Sequence, residues 1–229
     1  MAVIPAPRKA PLRYFEESVN DVQTRAYDLC ANLLFTRVDQ YYSHRFRDAM
    51  QIYMAEFHSS RLPVAKIRSL LRTGSYQLFV AQDAGRVFAM ALIWVCPQPA
   101  FIHLDYIAVK RERKGRGIGI AFYRWLIDHL GKLSPRARLL TLEVEDDLLG
   151  FYRRSQTRVL HNVPYLFPAL HGPIPMHLMV YDRQERKTLS RTVVQEIIRA
   201  LYRGIHNRGA DDALLRSFIS RVPRQVSLV

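Results

Sequence analysis

A glycine-rich turn with basic neighbours is the part of the sequence whose residue types best suit chemistry. It reads Lys114-Gly115-Arg116-Gly117-Ile118-Gly119 and follows an apolar stretch that ends in Ala108-Val109. Glycine has no Cβ, so its backbone N–H groups can approach a phosphate closely. If a helix begins here, its unpaired amides and its dipole add to the charges of Lys114 and Arg116. The turn therefore predicts a binding site for a pyrophosphate group.

The spacing of these glycines excludes two common phosphate-binding motifs. The turn is not followed by Gly-Lys-Ser/Thr, so it is not a P-loop. Glycines at 115, 117 and 119 also lack the G-x-G-x-x-G spacing of dinucleotide-binding proteins. A charged surface turn without a ligand is the alternative that the residues alone leave open.

Two predicted strands carry titratable side chains that could move protons. His103 and Asp105 lie two residues apart on one strand, as do Glu143 and Glu145 on another. Side chains two apart on a strand face the same side of the sheet. Histidine titrates near neutral pH without help, whereas a carboxylate needs burial to raise its pKa. The other histidines have no convincing ligand set, so we expect no metal site.

Alternating strand and helix signals must position these groups. Predicted strands cover Leu33–Val38, the region from Tyr76, Val87–Val95 after a turn at 83–86, Phe101–Val109, Leu139–Val144, Val159–Leu160 and Met176–Tyr181. Predicted helices cover Phe46–Phe57, a short segment opened by Pro63, the segment from the glycine turn to about Leu130 with Gly131 as its stop, and Leu148–Ser155. Asp21–Leu34 has ambiguous helical spacing, and the prolines between Pro164 and Pro175 predict a loop.

The C-terminal part has a different pattern. Apolar residues from Leu189 to Tyr202 have helical spacing, and Asp211 or Asp212 can cap a second helix, which predicts a helical hairpin. We therefore expect a loose Pro-rich arm at 1–13, an α/β (α+β) domain at 14–182, and a helical extension at 183–229 that packs on this domain.

Two segments together resemble the GNAT superfamily of N-acyltransferases. The family's Arg/Gln-x-x-Gly-x-Gly/Ala motif follows a strand that ends in Ala-Val, and Lys114–Gly119 takes that place with Lys for Arg or Gln. Leu140–Glu145 followed by Gly150–Arg154 matches the family's later strand and its short helix with Phe-Tyr. The resemblance covers roughly Phe46 to Tyr181. It implies a mixed, mostly antiparallel sheet with a splayed pair of parallel strands and helices on both faces.

The resemblance also implies the co-substrate, acetyl-CoA or another acyl-CoA. The acyl-CoA would lie where strands Asp105–Val109 and Leu139–Val144 splay apart. Its pantetheine arm would pair with the backbone of Ile107, Ala108 and Val109, and its pyrophosphate would rest on Lys114–Gly119. The amine acceptor would attack the thioester directly, so neither Cys30 nor Cys96 is expected to be a nucleophile.

Three catalytic roles follow from the same resemblance. Tyr152 takes the position of the family's tyrosine and is predicted to protonate the leaving thiolate. The backbone N–H of Val109 is predicted to stabilise the oxyanion. Glu143, Asp105 and His103 are the candidates for the base that deprotonates the acceptor ammonium.

The charge of the chain bears on its partners. The sequence has 229 residues with 34 basic and 20 acidic side chains, a net charge of +14. Such a field attracts polyanions, although much of it can be a solvated surface. A small amine is the favoured acceptor, with a protein amine or an aminoacyl-tRNA as alternatives. Nucleic-acid binding by the C-terminal helices is a second class of function, and a homodimer is possible.

Cysteine content and apolar runs bear on location. Two cysteines, far apart, do not suit a disulfide framework or a thiolate zinc site, which favours a reducing compartment. The apolar runs are too short to span a bilayer as a helix, and the first residues do not have the pattern of a secretory signal. We therefore expect a cytoplasmic protein without a membrane partner.

Overall fold

A computed structural model describes residues 33–58, 61–169 and 171–229 of the chain. The predicted N-terminal arm at 1–13 and nearly all of the ambiguous helical segment Asp21–Leu34 lie outside these residues. The description below therefore begins with the first strand.

One seven-stranded sheet forms the centre of the structure, in the order β1-β2-β3-β4-β5-β9-β6. Its strands are β1 (Leu34–Arg37), β2 (Tyr76–Asp83), β3 (Arg86–Pro97), β4 (Ala100–Val109), β5 (Leu139–Val144), β6 (Arg158–Val159) and β9 (His177–Asp182). Neighbouring strands are antiparallel except β4 and β5, which are parallel. The predicted mixed sheet with one parallel pair is thus confirmed.

Helices cover both faces of this sheet. They are α1 (His44–Glu56), α2 (Val64–Arg72), α3 (Ile118–Asp128), α4 (Leu130–Leu133), α5 (Leu149–Arg153), α6 (Arg191–Gly204) and α7 (Ala213–Ile219). Apolar side chains of α1, α2, α6 and α7 share one buried cluster with Met90 and Leu92 of β3. Side chains of α3 share a second cluster with Ala89 and Ala91 of the same strand. Strand β3 is apolar at consecutive positions because both of its faces are covered.

Polar side chains fix where three of the helices begin. Ser43, Ser190 and Asp212 accept hydrogen bonds from the backbone N–H groups of the first turns of α1, α6 and α7, at 3.3, 3.4 and 3.0 Å. Each cap satisfies an amide that has no partner within its own helix. Of the two aspartates considered as the cap of the last helix, Asp212 is the one that caps it.

The structure corrects two local predictions. Gly131 does not stop the helix after the glycine turn, because α3 ends at Asp128 and Gly131 lies within α4. The Pro-rich segment is not a loop but contains a hairpin of β7 (Leu166–Ala169) and β8 (Gly172–Pro175). Pro168 faces Pro173 in this isolated pair, where a missing N–H removes no hydrogen bond from a central ladder.

The end of the chain adds a small sheet that the sequence did not predict. Strand β10 (Thr188–Ser190) pairs with β11 (Gln225–Ser227) and thereby closes the segment that holds α6 and α7. Leu228 also forms a bridge to Leu160, next to β6. Within the ranges that the structure describes, no helix is long and apolar enough to cross a membrane.

Candidate acyl-transfer site

The two parallel strands of the sheet separate partway along their length. β4 and β5 pair only at Ile102 with Leu140 and at His103 with Thr141. Strand β4 continues for six residues beyond His103, to Val109, without pairing with β5. The separation leaves a gap in the sheet beside the second half of β4.

The backbone of β4 presents hydrogen-bonding groups to this gap. Lys110 donates its N–H to the carbonyl of Phe88 at 2.8 Å, so these residues form a hydrogen-bonded pair with β3. Hydrogen-bonded and non-hydrogen-bonded pairs alternate along an antiparallel ladder. The amides of Ile107 and Val109 therefore point away from β3 and into the gap.

A β-bulge lies where the two strands part. Leu92 of β3 pairs with Tyr106, whereas Ile93 pairs with Leu104, so Asp105 is the extra residue on β4. The Asp105 carboxylate accepts a hydrogen bond of 2.9 Å from the hydroxyl of Tyr76, which lies on β2. A bulge redirects side chains locally and is common beside functional sites.

The gap opens into a cleft of about 860 Å³ next to the glycine turn. The predicted cofactor residues that line it are Ile107, Ala108, Val109, Lys114, Gly115, Gly117, Ile118 and Gly119. Arg116 was also predicted to bind the cofactor, but its side chain is exposed and is not part of the lining. The strand edge and the glycine turn are thus brought together in one cleft.

The conformation of the glycine turn explains its residue types. Gly115 and Gly117 have φ angles of +76° and +77°, a region that residues with a Cβ rarely adopt. Gly117 is the N-cap of α3, and it makes no side-chain hydrogen bond that would occupy the first amides of the helix. A Cβ on Gly115 would meet no atom within 4 Å, so this side of the turn is open.

The charges at the cleft differ in part from the prediction. Lys114 Nζ donates to the carboxylate of Glu56, at the end of α1, and thus its charge is partly balanced. Three arginines that were not among the predicted cofactor residues also line the cleft: Arg113, Arg124 and Arg154. Arg113 belongs to the basic stretch 110–116. Arg113 lies over the ring of Phe88 at 4.5 Å. The three residues come from separate segments, so no local motif marks them as a group.

Tyr152 lies at the inner wall of the cleft. Its ring is buried against the edges of Tyr123 and Phe151, with centroids 5.0 and 4.9 Å away. Burial raises the pKa of its hydroxyl above the ordinary value, so the phenol keeps its proton at neutral pH. The hydroxyl forms no hydrogen bond with any other residue that the structure describes. Tyr152 thus lines the cleft with a phenol that is protonated at neutral pH.

Glu143 lies in a buried polar cluster on the sheet face that carries α6. Its Oε1 accepts hydrogen bonds from Tyr165 and from Nε2 of His206, the latter at 2.8 Å. Desolvation alone would raise the pKa of Glu143, but these hydrogen bonds and the adjacent His206 lower it below the ordinary value. Glu143 is therefore a carboxylate at neutral pH. Glu145, predicted on the same side, is exposed and does not join the cluster.

Burial shifts the pKa values of Asp105 and His103 in opposite directions. Desolvation raises the pKa of Asp105 to about 7, and the charge of Glu143 raises it while the hydrogen bond from Tyr76 lowers it. Burial lowers the pKa of His103 to about 4, and its Nδ1 lies 3.0 Å from Thr141 Oγ1. His103 is therefore neutral at pH 7, and its contact of 3.7 Å with Glu143 is not an ion pair.

Sequence reasoning missed three members of this cluster: Tyr76, Tyr165 and His206. The sequence predicts a strand at Tyr76 and a loop at Tyr165, and it gives neither these residues nor His206 a role in the site. His206 is 63 positions from Glu143 in the chain, and a contact at that separation has no signature in local spacing. In the described parts of the chain, no group of three or more His, Cys, Asp or Glu side chains could hold a metal ion.

Known structures share this arrangement of strands and helices. A putative GNAT-family acetyltransferase from Bacteroides thetaiotaomicron superposes with a TM-score of 0.63 at 16% identity, over 77% of this chain and 99% of that one. A spermidine N-acetyltransferase from Vibrio cholerae gives 0.55 at 11%, over 68% and 96%. The ribosomal-protein-S18-alanine N-acetyltransferase from Escherichia coli gives 0.51 at 19%, over 66% and 93%. At these identities the likeness establishes the fold.

Sequence comparison adds a relative and a family. A Dictyostelium discoideum protein described as uncharacterized is 30% identical over 111 residues, which are 48% of this chain. The chain spans only 25% of that protein's length. The model of the acetyltransferase (GNAT) family matches residues 37–156, just over half of the sequence, and this segment holds the diverging strands, the glycine turn and Tyr152. The chain therefore belongs to the GNAT family of acetyltransferases.

Proposed function

We propose that the protein transfers an acetyl or longer acyl group from acyl-CoA to a primary amine. The GNAT family uses acetyl-CoA as its co-substrate, and one observation supports its use here. The exposed edge of β4 and the amide-rich glycine turn open into the same cleft. Such a cleft suits a ligand with an extended amide-containing arm at one end and a pyrophosphate at the other.

The residues that line the cleft fit the parts of acyl-CoA. The amides of Ile107 and Val109 would pair with the pantetheine arm as an added strand does. The amides at Gly117–Gly119 and the start of α3 would bind the pyrophosphate, as helix N-termini bind anions. Arg113, Arg124 and Arg154 supply further charge for the phosphates. Lys114 can contribute only if it leaves Glu56.

Starting from the acceptor ammonium, the nitrogen loses two protons and the departing sulfur gains one. The base takes the first nitrogen proton before attack, and the second, lost as the carbon–sulfur bond breaks, would replace the proton that Tyr152 gives to sulfur. The amine nitrogen forms a bond to the thioester carbon, and the bond from carbon to sulfur breaks. Tyr152 would give its proton to the departing sulfur, and the N–H of Val109 would stabilise the oxyanion. No acyl-enzyme is needed, so this scheme gives the buried Cys96 no role.

Among the three candidate bases, we propose Asp105. Its pKa of about 7 places it near the pH at which a general base is most effective. Its side chain is only partly buried, beside the opening between the strands. Glu143 is held by two donors, and His103 is buried with a pKa of about 4, so each is a poorer proton acceptor. Glu143 would act as the fixed anion that raises the pKa of Asp105.

The acceptor is proposed to be a small amine. The similar structures include one enzyme named for spermidine and one named for a ribosomal protein's alanine, so the fold alone does not select the acceptor. A protein amine or an aminoacyl-tRNA is the alternative. α7 buries Leu215 and Phe218 in the core, and this supports a covering role for the extension at 183–229 rather than base reading in nucleic acid.

Thermal unfolding with a panel of CoA compounds tests the proposal. A ligand present at 100 times its Kd stabilises the folded state by about 2.7 kcal/mol, which raises the Tm by roughly 5–10 °C for a chain of this size. Gly117→Asp should abolish this rise, because it adds a negative charge at the turn. Gly117→Asn is the matched control, since asparagine tolerates positive φ and carries no charge. No shift with acetyl-CoA, longer acyl-CoA or CoA would contradict the proposal.

Thiol release from acetyl-CoA in the presence of primary amines then identifies the acceptor. Small amines, peptides with free N-termini and charged tRNA form three arms of this assay. We expect turnover with small amines. Tight tRNA binding that persists at physiological salt would instead favour the tRNA alternative, because weak electrostatic binding is lost at that ionic strength.

A further inference from the structure

The segment that follows α6 reaches into the polar cluster around Glu143. His206 lies just beyond the end of α6, and its Nε2 is 2.8 Å from Glu143 Oε1 and 3.3 Å from the hydroxyl of Tyr165. The side chains of His206 and Glu143 are each only 7% exposed. His206 lies outside the segment that matches the family model. The contact thus joins the C-terminal extension to a strand of the candidate site.

The chemistry of the contact fixes where the proton lies. An ionised carboxylate only accepts hydrogen bonds, so Nε2 of His206 must carry a hydrogen to bond Glu143. The Tyr165 hydroxyl donates to the same oxygen. Glu143 Oε1 therefore has two donors, and both come from segments after residue 156. Charge-assisted hydrogen bonds of this kind are stronger than those between neutral groups.

Aromatic packing holds the imidazole of His206 in place. The ring packs edge-on against Phe167 at 4.9 Å and against Tyr202 at 5.6 Å. Tyr202 is itself buried on α6, and its hydroxyl donates to the carbonyl of Leu166. The hairpin of β7 and β8 and the helix α6 therefore fix the ring from two sides.

We propose that His206 is a positioning residue of the acyl-transfer site, which locks the Glu143 carboxylate in place as the fixed anion beside Asp105. The inference rests on the proposed function, in which Asp105 is the base. It gives the C-terminal extension a part in the chemistry as well as in covering the sheet. The amine acceptor would then meet one carboxylate that stays charged and one that accepts its proton.

Several titratable groups face Glu143 or Asp105 and share their electrostatic environment. They are Tyr76 on β2, His103 and Tyr106 on β4, Tyr165 before β7, and Tyr202 and His206 at the C-terminal extension. The tyrosines have raised pKa values and stay neutral, and burial keeps His103 neutral at pH 7. Without His206, Glu143 would keep its desolvation but lose its main compensating donor, so it would bind a proton at higher pH.

Carbon-13 NMR titration of side-chain carboxyl groups tests this without any acceptor. Glu143→Gln and Asp105→Asn assign the two signals. In His206→Phe, which keeps an aromatic ring against Phe167 and Tyr202, we expect the Glu143 midpoint to rise by roughly 1–2 pH units. His206→Gln retains an N–H donor, so its Glu143 midpoint should lie close to that of the unmodified protein. A merely structural role would lower the Tm and leave the midpoint unchanged, which would overturn the inference.

A second measurement does not depend on how the variants fold. Nitrogen-15 NMR of the unmodified protein should show Nε2 of His206 protonated, and a bare Nε2 at neutral pH would also overturn the inference. Tyr165→Phe removes the other donor and should raise the Glu143 midpoint as well. Failure of acyl-CoA to raise the Tm of the unmodified protein contradicts the proposed function alone. An unmoved Glu143 midpoint contradicts the role of His206 alone.

Discussion

The hydrogen bond from Tyr76 to Asp105 gives the sharpest prediction about catalysis. Tyr76→Phe removes only the hydroxyl that donates to Asp105 at 2.9 Å, and it leaves a ring of nearly the same shape in the core. Burial keeps the Tyr76 hydroxyl protonated at neutral pH, so it is a donor throughout the working range. This hydrogen bond lowers the pKa of Asp105, and its loss should therefore raise that pKa above about 7.

The size of the effect follows from the strength of the lost interaction. A hydrogen bond to a charged group contributes about 1.5–3 kcal/mol, and one pKa unit corresponds to about 1.36 kcal/mol. Asp105 is partly exposed, so water replaces part of the bond and about one unit is expected. At pH 7 the ionised fraction of Asp105 would fall from about one half to about one tenth. Because the base must be ionised, kcat/KM should fall about fivefold at pH 7 and hardly at all at pH 9.

The assay is the pH profile of kcat/KM, measured with an amine acceptor that the thiol-release assay has identified. We expect the acidic limb of the unmodified protein to have its midpoint near pH 7 and that of Tyr76→Phe near pH 8. Tyr123→Phe is the matched control, since it removes a buried hydroxyl that bonds Thr157 on the other side of the sheet. An unchanged or lowered midpoint in Tyr76→Phe would refute the assignment of Asp105 as the base.

Two further predictions concern the proton donor and the packing of the extension. Tyr152→Phe should leave the Tm rise with acyl-CoA intact. It should lower kcat by roughly 10²-fold, the lower end for loss of a general acid, because a thiolate is a tolerable leaving group. If kcat is unchanged while the chemical step is rate-limiting, Tyr152 has only a packing role. Gly204→Ala should destabilise the fold by about 1–3 kcal/mol in denaturant unfolding, since the added Cβ would lie 2.3 Å from the Trp94 ring, although alanine normally favours a helix. Gly150→Ala, where no atom lies within 4 Å of the new Cβ, is its control, and equal stability of the two variants would contradict the packing argument.

The sequence predicted the elements whose signals are local. The alternating and continuous apolar runs of β2, β3 and β4 give the strands within a few residues, and the turn at 83–86 lies between β2 and β3 as expected. The glycine turn directly precedes α3, also as expected. These signals are strong because each arises within one element and its immediate neighbours. The fold class was predicted because the glycine turn and the later strand resemble two GNAT segments that occur in the same order along the chain.

The sequence did not predict contacts between distant segments. The β7–β8 hairpin was not predicted because its segment contains several prolines. Proline is a poor strand former except in an isolated or edge pair. Strands β10 and β11 have three residues each, too few to show alternation. The Glu56 partner of Lys114 is 58 positions away, and the His206 partner of Glu143 is 63 positions away. Such pairs are fixed by tertiary packing, which leaves no periodic signal.

Residues of opposite charge lie on the two sides of the diverging strands, so the candidate site has a cationic side and an anionic side. Arg113, Arg124 and Arg154 line the side where the phosphates of acyl-CoA would bind. On the other side lie Asp105 and Glu143, with pKa values displaced in opposite directions. An ammonium group is attracted to two neighbouring carboxylates, but it must lose a proton before it can attack. A fixed anion and a proton acceptor with a pKa near 7 satisfy both requirements, provided that Glu143 itself stays ionised. In the proposed mechanism, this requirement would give Tyr165 and His206, the two donors to Glu143, a part in the chemistry as well as in the fold.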